Sequence, residues 1–388
     1  MKIAIACIGN PRSIKTWSGI PFHIIHELEK RDFEIITIEL FNPKDLWYYN
    51  ILRSFNWRLF KKWYLTSVCK KSLKFIGVQL DYFVNNHKPD IILAIHGDII
   101  SYTTFKQPVI IIHDTTFESI LNYYSEFSRL TRKSIRNGNK MYKLALERAD
   151  AAVFCSIWAS NSAINYYKTS SKKVFTIPFG ANIQSIPKFN DLLKYTIRRI
   201  NSNICKFLFI GVDWDRKGGM FALNFINELN KLGIESSLTI VGCKPKIPNE
   251  FISYVNVVGF LNKSNLNEEN KLNQLFFESN AFILPSKAEC YGCVFCEANA
   301  YGLPIIGSDT GGIPEIIQDS INGLLIKNHE SAKDIAKRWS KVWMNKDIYK
   351  NMIEQSRNEF DQRLNYTIFI NKLVELMNVI ISSPNNLI

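Results

Sequence analysis

No run of roughly 18 uninterrupted apolar residues occurs in this 388-residue chain, which excludes an obvious membrane-spanning helix. The first apolar stretch, Ile3–Ile8, stops at Asn10-Pro11-Arg12, and no small-residue cleavage site follows it. It reads as a buried strand, not a signal peptide, and a cytoplasmic location is expected. Cysteine is too thinly spread for a disulfide framework: eight residues over this length, mostly within predicted strands and helices, imply reduced thiols. Cys290-x2-Cys293-x2-Cys296 lacks the second pair that a structural zinc site needs, so ordinary packing and no metal are expected there. No helix-turn-helix, zinc-finger or RNA-binding signature is present, which argues against a nucleic-acid partner. The first strand is followed by Ile8-Gly9-Asn10-Pro11 in place of Gly-x-Gly-x-x-Gly, which sets aside a dinucleotide-dependent dehydrogenase. Acidic residues are also scarce, 35 against 48 Lys and Arg, and the resulting net charge of +13 favours anionic partners without choosing among them.

What the chain does have is length and apolar content (46% hydrophobic), enough for a large core divided between two domains. Short β-branched runs alternate with amphipathic stretches, the pattern of parallel sheets flanked by helices. The predicted strands are Ile3–Ile8, Glu34–Glu39, Ile91–Ile95, Val109–His113, Ala151–Cys155 and Val174–Ile177, then Lys206–Gly211, Ser237–Val241, Val255–Val258, Ala281–Leu284, Ile305–Gly307 and Gly323–Ile326. Two sets of six imply two doubly wound α/β domains. The polar stretch Ile183–Asn203 between them reads as a linker. Ala332–Trp343, Ile348–Arg363 and Thr367–Ile381 have helical spacing, and Ser382-Ser383-Pro384-Asn385-Asn386 reads as a frayed tail.

Residues 289–297 read Glu-Cys-Tyr-Gly-Cys-Val-Phe-Cys-Glu, directly after the strand that ends at Pro285-Ser286. A helix opening near Tyr291-Gly292 points unpaired backbone N–H groups, those of Gly292 and Cys293, at the place where a phosphate would sit. Glu289 falls in the loop and Glu297 about two turns into the helix. Glu297 is then within reach of a cis-diol such as a ribose, and Glu289 of hydroxyls farther along the same molecule. A phosphate, a ribose and a polyol in a row make a nucleotide-sugar. Asp213-Trp214-Asp215-Arg216-Lys217-Gly218 follows an earlier strand and sets Arg216 and Lys217 to neutralise a diphosphate, both in binding and as charge builds on a leaving group. Asp213-x-Asp215 mimics a metal-binding pair, but with Lys217 beside it the cations supply the metal's electrostatics, and turnover without divalent metal is expected. Ser18-Gly19-Ile20-Pro21 either brings backbone N–H groups toward a donor or is a plain strand-to-helix turn. His113-Asp114 ends a strand at the sheet edge where α/β proteins dock ligands.

The segment 289–297 resembles the Glu-x7-Glu signature of the retaining GT-B glycosyltransferases of family 4 type, the glycosyl transferases group 1. Lys217-Gly218-Gly219, Val241-Gly242, Ser308-Asp309-Thr310-Gly311-Gly312-Ile313-Pro314-Glu315 and Asn322-Gly323-Leu324-Leu325 follow in that family's order. Trp17-Ser18-Gly19-Ile20-Pro21 and Ile177-Pro178-Phe179-Gly180-Ala181-Asn182 extend the resemblance over nearly the whole chain. Many members carry Arg immediately after the strand-ending glycine, where this chain has Val212. The resemblance implies a GT-B fold of two Rossmann-like domains facing across a cleft. The amino-terminal, acceptor-side domain would be 1–185 with a returning helix 366–388, and the carboxyl-terminal, nucleotide-sugar-binding domain 186–365. It implies that His113 contacts the transferred sugar, that Gly19, Arg216, Lys217, Gly292, Cys293 and Glu297 bind the donor, and that Lys217 and Glu289 take part in chemistry. The implied reaction moves a hexose, with retention, from a UDP- or GDP-sugar to a glycan or lipid-linked acceptor in surface polysaccharide synthesis. An epimerase or phosphorylase on the same fold, and a basic nucleic-acid or membrane-binding protein with a vestigial cleft, are the alternatives.

Trp47–Phe83 mixes aromatic residues with Arg53, Arg58, Lys61, Lys62, Lys70, Lys71 and Lys74. A long amphipathic helix of this composition either packs its aromatics on the core or makes peripheral contact with an anionic membrane.

Overall fold

The structure, a computed structural model, describes residues 1–43 and 47–382. Its two compact units are Met1–Pro178 with Phe369–Ile388, and Phe179–Ile368. The first unit is therefore discontinuous in sequence, and near the carboxyl terminus a helix spans Tyr366–Ser382. Residues 383–386 of the expected frayed tail lie outside the described residues.

The first unit holds strands β1 (Lys2–Ile8), β2 (Glu34–Leu40), β3 (Ile91–Ile95), β4 (Val109–His113), β5 (Ala151–Phe154) and β6 (Val174–Thr176), in the sheet order β2-β1-β3-β4-β5-β6. The second holds β7 (Cys205–Ile210), β8 (Ser236–Val241), β9 (Val255–Gly259), β10 (Ala281–Leu284), β11 (Ile305–Ser308) and β12 (Gly323–Ile326), in the order β12-β11-β10-β7-β8-β9. Every strand pair is parallel. Each strand falls where the sequence pattern placed it. The reason is visible in burial: Ile91–Ile95 and Ala281–Leu284 are buried at every position, which is what a parallel strand covered by helices on both faces requires.

Three local expectations are corrected. The stretch read as a linker contains the helix Phe189–Ile200, whose Leu192 and Arg199 are buried within the second unit. The long helix expected over Trp47–Phe83 is two helices, Trp47–Phe60 and Lys70–His87. The break has a tertiary cause. Lys61 adopts a left-handed φ of 51°, and Trp63 then pairs with the segment around Leu130: its N–H donates to Arg129 at 2.9 Å and its carbonyl accepts from Thr131 at 2.9 Å. Lastly, the helix after β10 is Cys293–Ala300, so Glu297 sits little more than one turn from its start, nearer the N-terminus than expected.

Among the described residues, the one helical stretch apolar enough by composition to be weighed as a membrane span is Lys346–Ser382, and half of its apolar window is buried inside the protein.

Candidate active site

In a doubly wound sheet, ligands bind beyond the carboxyl ends of the strands where the chain reverses its direction of winding. In the second unit that point lies between the neighbours β7 and β10. The loop after β7 carries Arg216 and Lys217, and the loop after β10 carries Glu289. The two loops meet, with the Lys217 ammonium donating to Glu289 Oε2. Both side chains are about nine-tenths buried. Arg216 lies at the same carboxylate, Nη1 to Oε2 3.7 Å, and donates to the Ala288 carbonyl at 3.0 Å. Asp213 fixes the arginine's own turn, accepting from the Arg216 N–H at 3.0 Å. Two cations thus stand beside one carboxylate at the strand ends, 72 residues apart in sequence for Lys217 and Glu289.

The same edge presents two helix N-termini capped by left-handed glycines. Gly218 (φ 74°) precedes Gly219–Lys231, and a Cβ there would lie 2.0 Å from the Pro285 carbonyl oxygen, so the β7 and β10 loops approach as closely as glycine permits. Gly292 (φ 88°) precedes Cys293–Ala300, and a Cβ there would meet the Phe295 ring at 2.7 Å. The start of this helix, at Gly292 and Cys293, carries the partial positive charge of a helix N-terminus.

Glu297 is buried, and burial holds its carboxyl above the ordinary range, with the neighbouring Lys263 ammonium opposing that rise. Lys263 reaches Glu297 Oε1 at 2.6 Å and also donates to the Asn182 carbonyl at 3.1 Å. Lys263 was not singled out from the sequence. It lies in the loop after β9 with no motif around it, and its pairing with Glu297 exists only through the fold.

The first unit has its own site at the corresponding switch point, between β1 and β3. Trp17, Ser18 and Gly19, in the loop after β1, take left-handed conformations in succession, with φ of 42°, 57° and 86°. His96, directly after β3, also has a positive φ of 73°. Conformations of this kind in non-glycine residues cost of order 1–3 kcal/mol each and persist where packing over-determines them. Here the rings converge: Trp17 and His96 centroids are 4.4 Å apart, His96 and His113 4.4 Å, and Trp17 and His113 5.8 Å. His113 Nδ1 is 2.9 Å from Tyr142 Oη, and that hydroxyl gives its proton to the Thr115 carbonyl at 2.6 Å. The tyrosine can therefore only accept from His113, which fixes the proton on Nδ1 and leaves Nε2 as an acceptor. Burial, with the nearby His96, holds the His113 imidazole well below its usual pKa, so it is neutral at pH 7. Asp98, two residues after His96, is pushed above the usual carboxylate range by burial, and its Oδ1 is buried without a hydrogen-bond partner. The only sequence signal for His96 and Asp98 was their place at a strand's carboxyl end.

Among the described residues no three His, Cys, Asp or Glu side chains converge as a metal ion would require. All eight cysteines are free thiols. The Cys296 Sγ is directed at the Phe179 carbonyl at 3.7 Å, and burial pushes that thiol up to about 12.

Two six-stranded parallel sheets flanked by helices are the architecture of the GT-B fold. Sucrose-phosphate synthase from Thermosynechococcus elongatus superposes with a TM-score of 0.70 at 15% identity, over 98% of this chain and 99% of that one. HepE of Anabaena, in complex with UDP and glucose, superposes with a TM-score of 0.63 at 15% identity, over 97% and 99%. By sequence, residues 198–359 match the family model described as glycosyl transferases group 1. An uncharacterized 41.2 kDa protein in the cps region of Klebsiella pneumoniae is 27% identical over 170 residues, 43% of this chain and 44% of that protein. The chain thus spans less than half the length of the curated relatives it matches.

Proposed function

We propose that this protein is a cytoplasmic, retaining glycosyltransferase that moves a hexose from a UDP- or GDP-sugar to a hydroxyl of a glycan or lipid-linked acceptor, in surface polysaccharide synthesis. The observation that carries the reading is the meeting of Lys217, Arg216 and Glu289 at the switch point of the second sheet, beside the N-terminus that bears Glu297. A diphosphate placed at the two cations replaces the Lys217–Glu289 contact with a charge-assisted one and frees Glu289 for sugar hydroxyls. Glu297, held by Lys263, accepts from the ribose diol. The co-crystallised UDP and glucose of HepE support a donor of this kind.

In the transfer, the bond from the sugar's anomeric carbon to the diphosphate oxygen breaks, and the acceptor oxygen bonds to that carbon from the same face. The acceptor's proton passes to the departing diphosphate. Lys217 and Arg216 are the residues that stabilise the charge developing there, so no metal ion is required for that role. Neutral His113, with Nε2 as acceptor, orients a hydroxyl of the transferred sugar. The test is a thermal-shift and hydrolysis screen with UDP-glucose, UDP-galactose, UDP-N-acetylglucosamine and GDP-mannose, with and without a chelator. One donor is expected to stabilise the protein and to be hydrolysed slowly in the chelator's presence, and both effects should vanish in Lys217→Ala. No stabilisation by any donor, or turnover abolished by chelation, overturns the reading.

A further inference from the structure

The helix Trp47–Phe60 has no buried residue along its whole length. Its half-buried positions, Tyr49, Leu52, Asn56 and Trp57, lie on one side, where Trp57 stacks on Trp63 at 4.0 Å and Tyr49 on Tyr64 at 6.1 Å. That side attaches the helix to the first unit. The opposite side carries Trp47, Ile51, Phe55 and Leu59, a stripe repeating every four residues, at 65%, 57%, 53% and 61% exposure. With Tyr48 beside it, the stripe occupies roughly a 120° arc of the helix. Its exposed apolar area is on the order of 500 Å², as large as the largest patch a soluble monomer usually tolerates.

An amphipathic helix that turns its apolar arc away from its own core needs something else to cover that arc. The surrounding charge says what. From Trp47 to Leu80 the chain contains Arg53, Arg58, Lys61, Lys62, Lys70, Lys71 and Lys74 and no Asp or Glu. Arg58 lies within the apolar arc itself, and Lys61 and Lys62 follow the helix directly, all three exposed. Large apolar side chains flanked by cations of one sign match a bilayer interface, where the rings and Leu59 enter the acyl boundary and the cations meet anionic headgroups. A nucleic acid would leave the apolar arc uncovered.

We propose that helix Trp47–Phe60 is a membrane-docking element that seats the first unit on a bilayer containing anionic lipid. This goes beyond the sugar-transfer reading and does not depend on it. The test is flotation of the full chain with vesicles of phosphatidylcholine alone or with about 30% phosphatidylglycerol, at ~0.05 M and ~0.5 M salt. The protein is expected to float with the anionic vesicles at low salt and at least about five-fold less with neutral vesicles or at high salt. The triple variant Ile51→Ser, Phe55→Ser, Leu59→Ser replaces side chains that are more than half exposed, so its fold is retained, and flotation should fall at least about five-fold. Arg58→Glu with Lys62→Glu should abolish the preference for anionic vesicles. Donor stabilisation measured without lipid should be unchanged in all of these variants, which separates failure of docking from failure of the transfer reading. The proposal is overturned if the wild type does not float with anionic vesicles, or if the triple variant floats as well as the wild type. It is equally overturned if the triple change only converts a dimer to a monomer in sedimentation, which would make a second copy the occupant of the arc.

Discussion

Replacing Arg199 should destabilise the second unit more than any surface change, because this arginine is fully buried and has no carboxylate partner within its hydrogen-bond set. Its guanidinium spends all its short bonds on backbone carbonyls: Nε to Ser279 at 2.8 Å, Nη1 to Tyr301 at 2.8 Å and Nη2 to Phe276 at 2.9 Å. These carbonyls belong to the carboxyl ends of helices Leu266–Glu278 and Cys293–Ala300, where unsatisfied acceptors and negative helix ends converge. Arg199 thereby fixes the far end of the helix that carries Glu297. Losing three charge-assisted bonds to buried carbonyls costs about 2 kcal/mol each, about 6 in total. Against this stands the burial of the cation itself, which lowers its pKa from 12.5 to about 10. At about 1.4 kcal/mol per pH unit, an apolar replacement recovers roughly 3 kcal/mol. The net loss for Arg199→Leu is about 3 kcal/mol. For a unit of about 190 residues, with an unfolding entropy near 2 cal/mol/K per residue, this lowers the melting temperature by roughly 7 °C. Differential scanning calorimetry of the full chain should show this shift in the transition of the second unit. Arg199→Lys should recover only part of it, since one ammonium cannot span both helix ends as the planar fork does. A transition for Arg199→Leu within about 1 °C of wild type would refute the argument that these carbonyls depend on the guanidinium.

Two further outcomes follow from the site. The Glu297 carboxyl is raised above its ordinary 4.5 by burial. The ionised form is the one that accepts from a ribose, so donor affinity should fall as pH drops through that raised value. In Glu297→Gln the acid limb should disappear and affinity at pH 7 should be roughly ten-fold weaker, as read by calorimetric titration with the donor. The sign for stability is opposite. The raised pKa means that the fold favours the protonated side chain, so its contribution is present below pH 4.5 and lost as the pH rises through the folded value. Gly218→Ala places a Cβ against the Pro285 carbonyl at a positive φ, and it should lower both the melting temperature and donor affinity, because it forces apart the loops that bring Lys217 to Glu289. Full donor affinity in this variant would show that the close approach is not needed.

The alternation of β-branched runs with amphipathic stretches determined the class of fold and the places of all twelve strands, because strand and helix periodicity are local and parallel strands buried on both faces leave continuous apolar runs. The motifs at 213–219 and 289–297 were legible for a related reason: glycines at helix starts and charged residues just past strand ends mark a ligand edge wherever the strands fall. Tertiary structure decided what local pattern cannot hold. The partner of Glu297 is Lys263, brought there by the loop after β9, and the tautomer of His113 is set by Tyr142 from a helix 29 residues on. The break between Trp47–Phe60 and Lys70–His87 depends on the pairing of Trp63 with Leu130, a contact that helical periodicity does not encode. The same break left an apolar helical arc facing outward where the pattern allowed it to face in. Periodicity gives the width of an amphipathic face, and only the packing of distant segments settles which way that face turns.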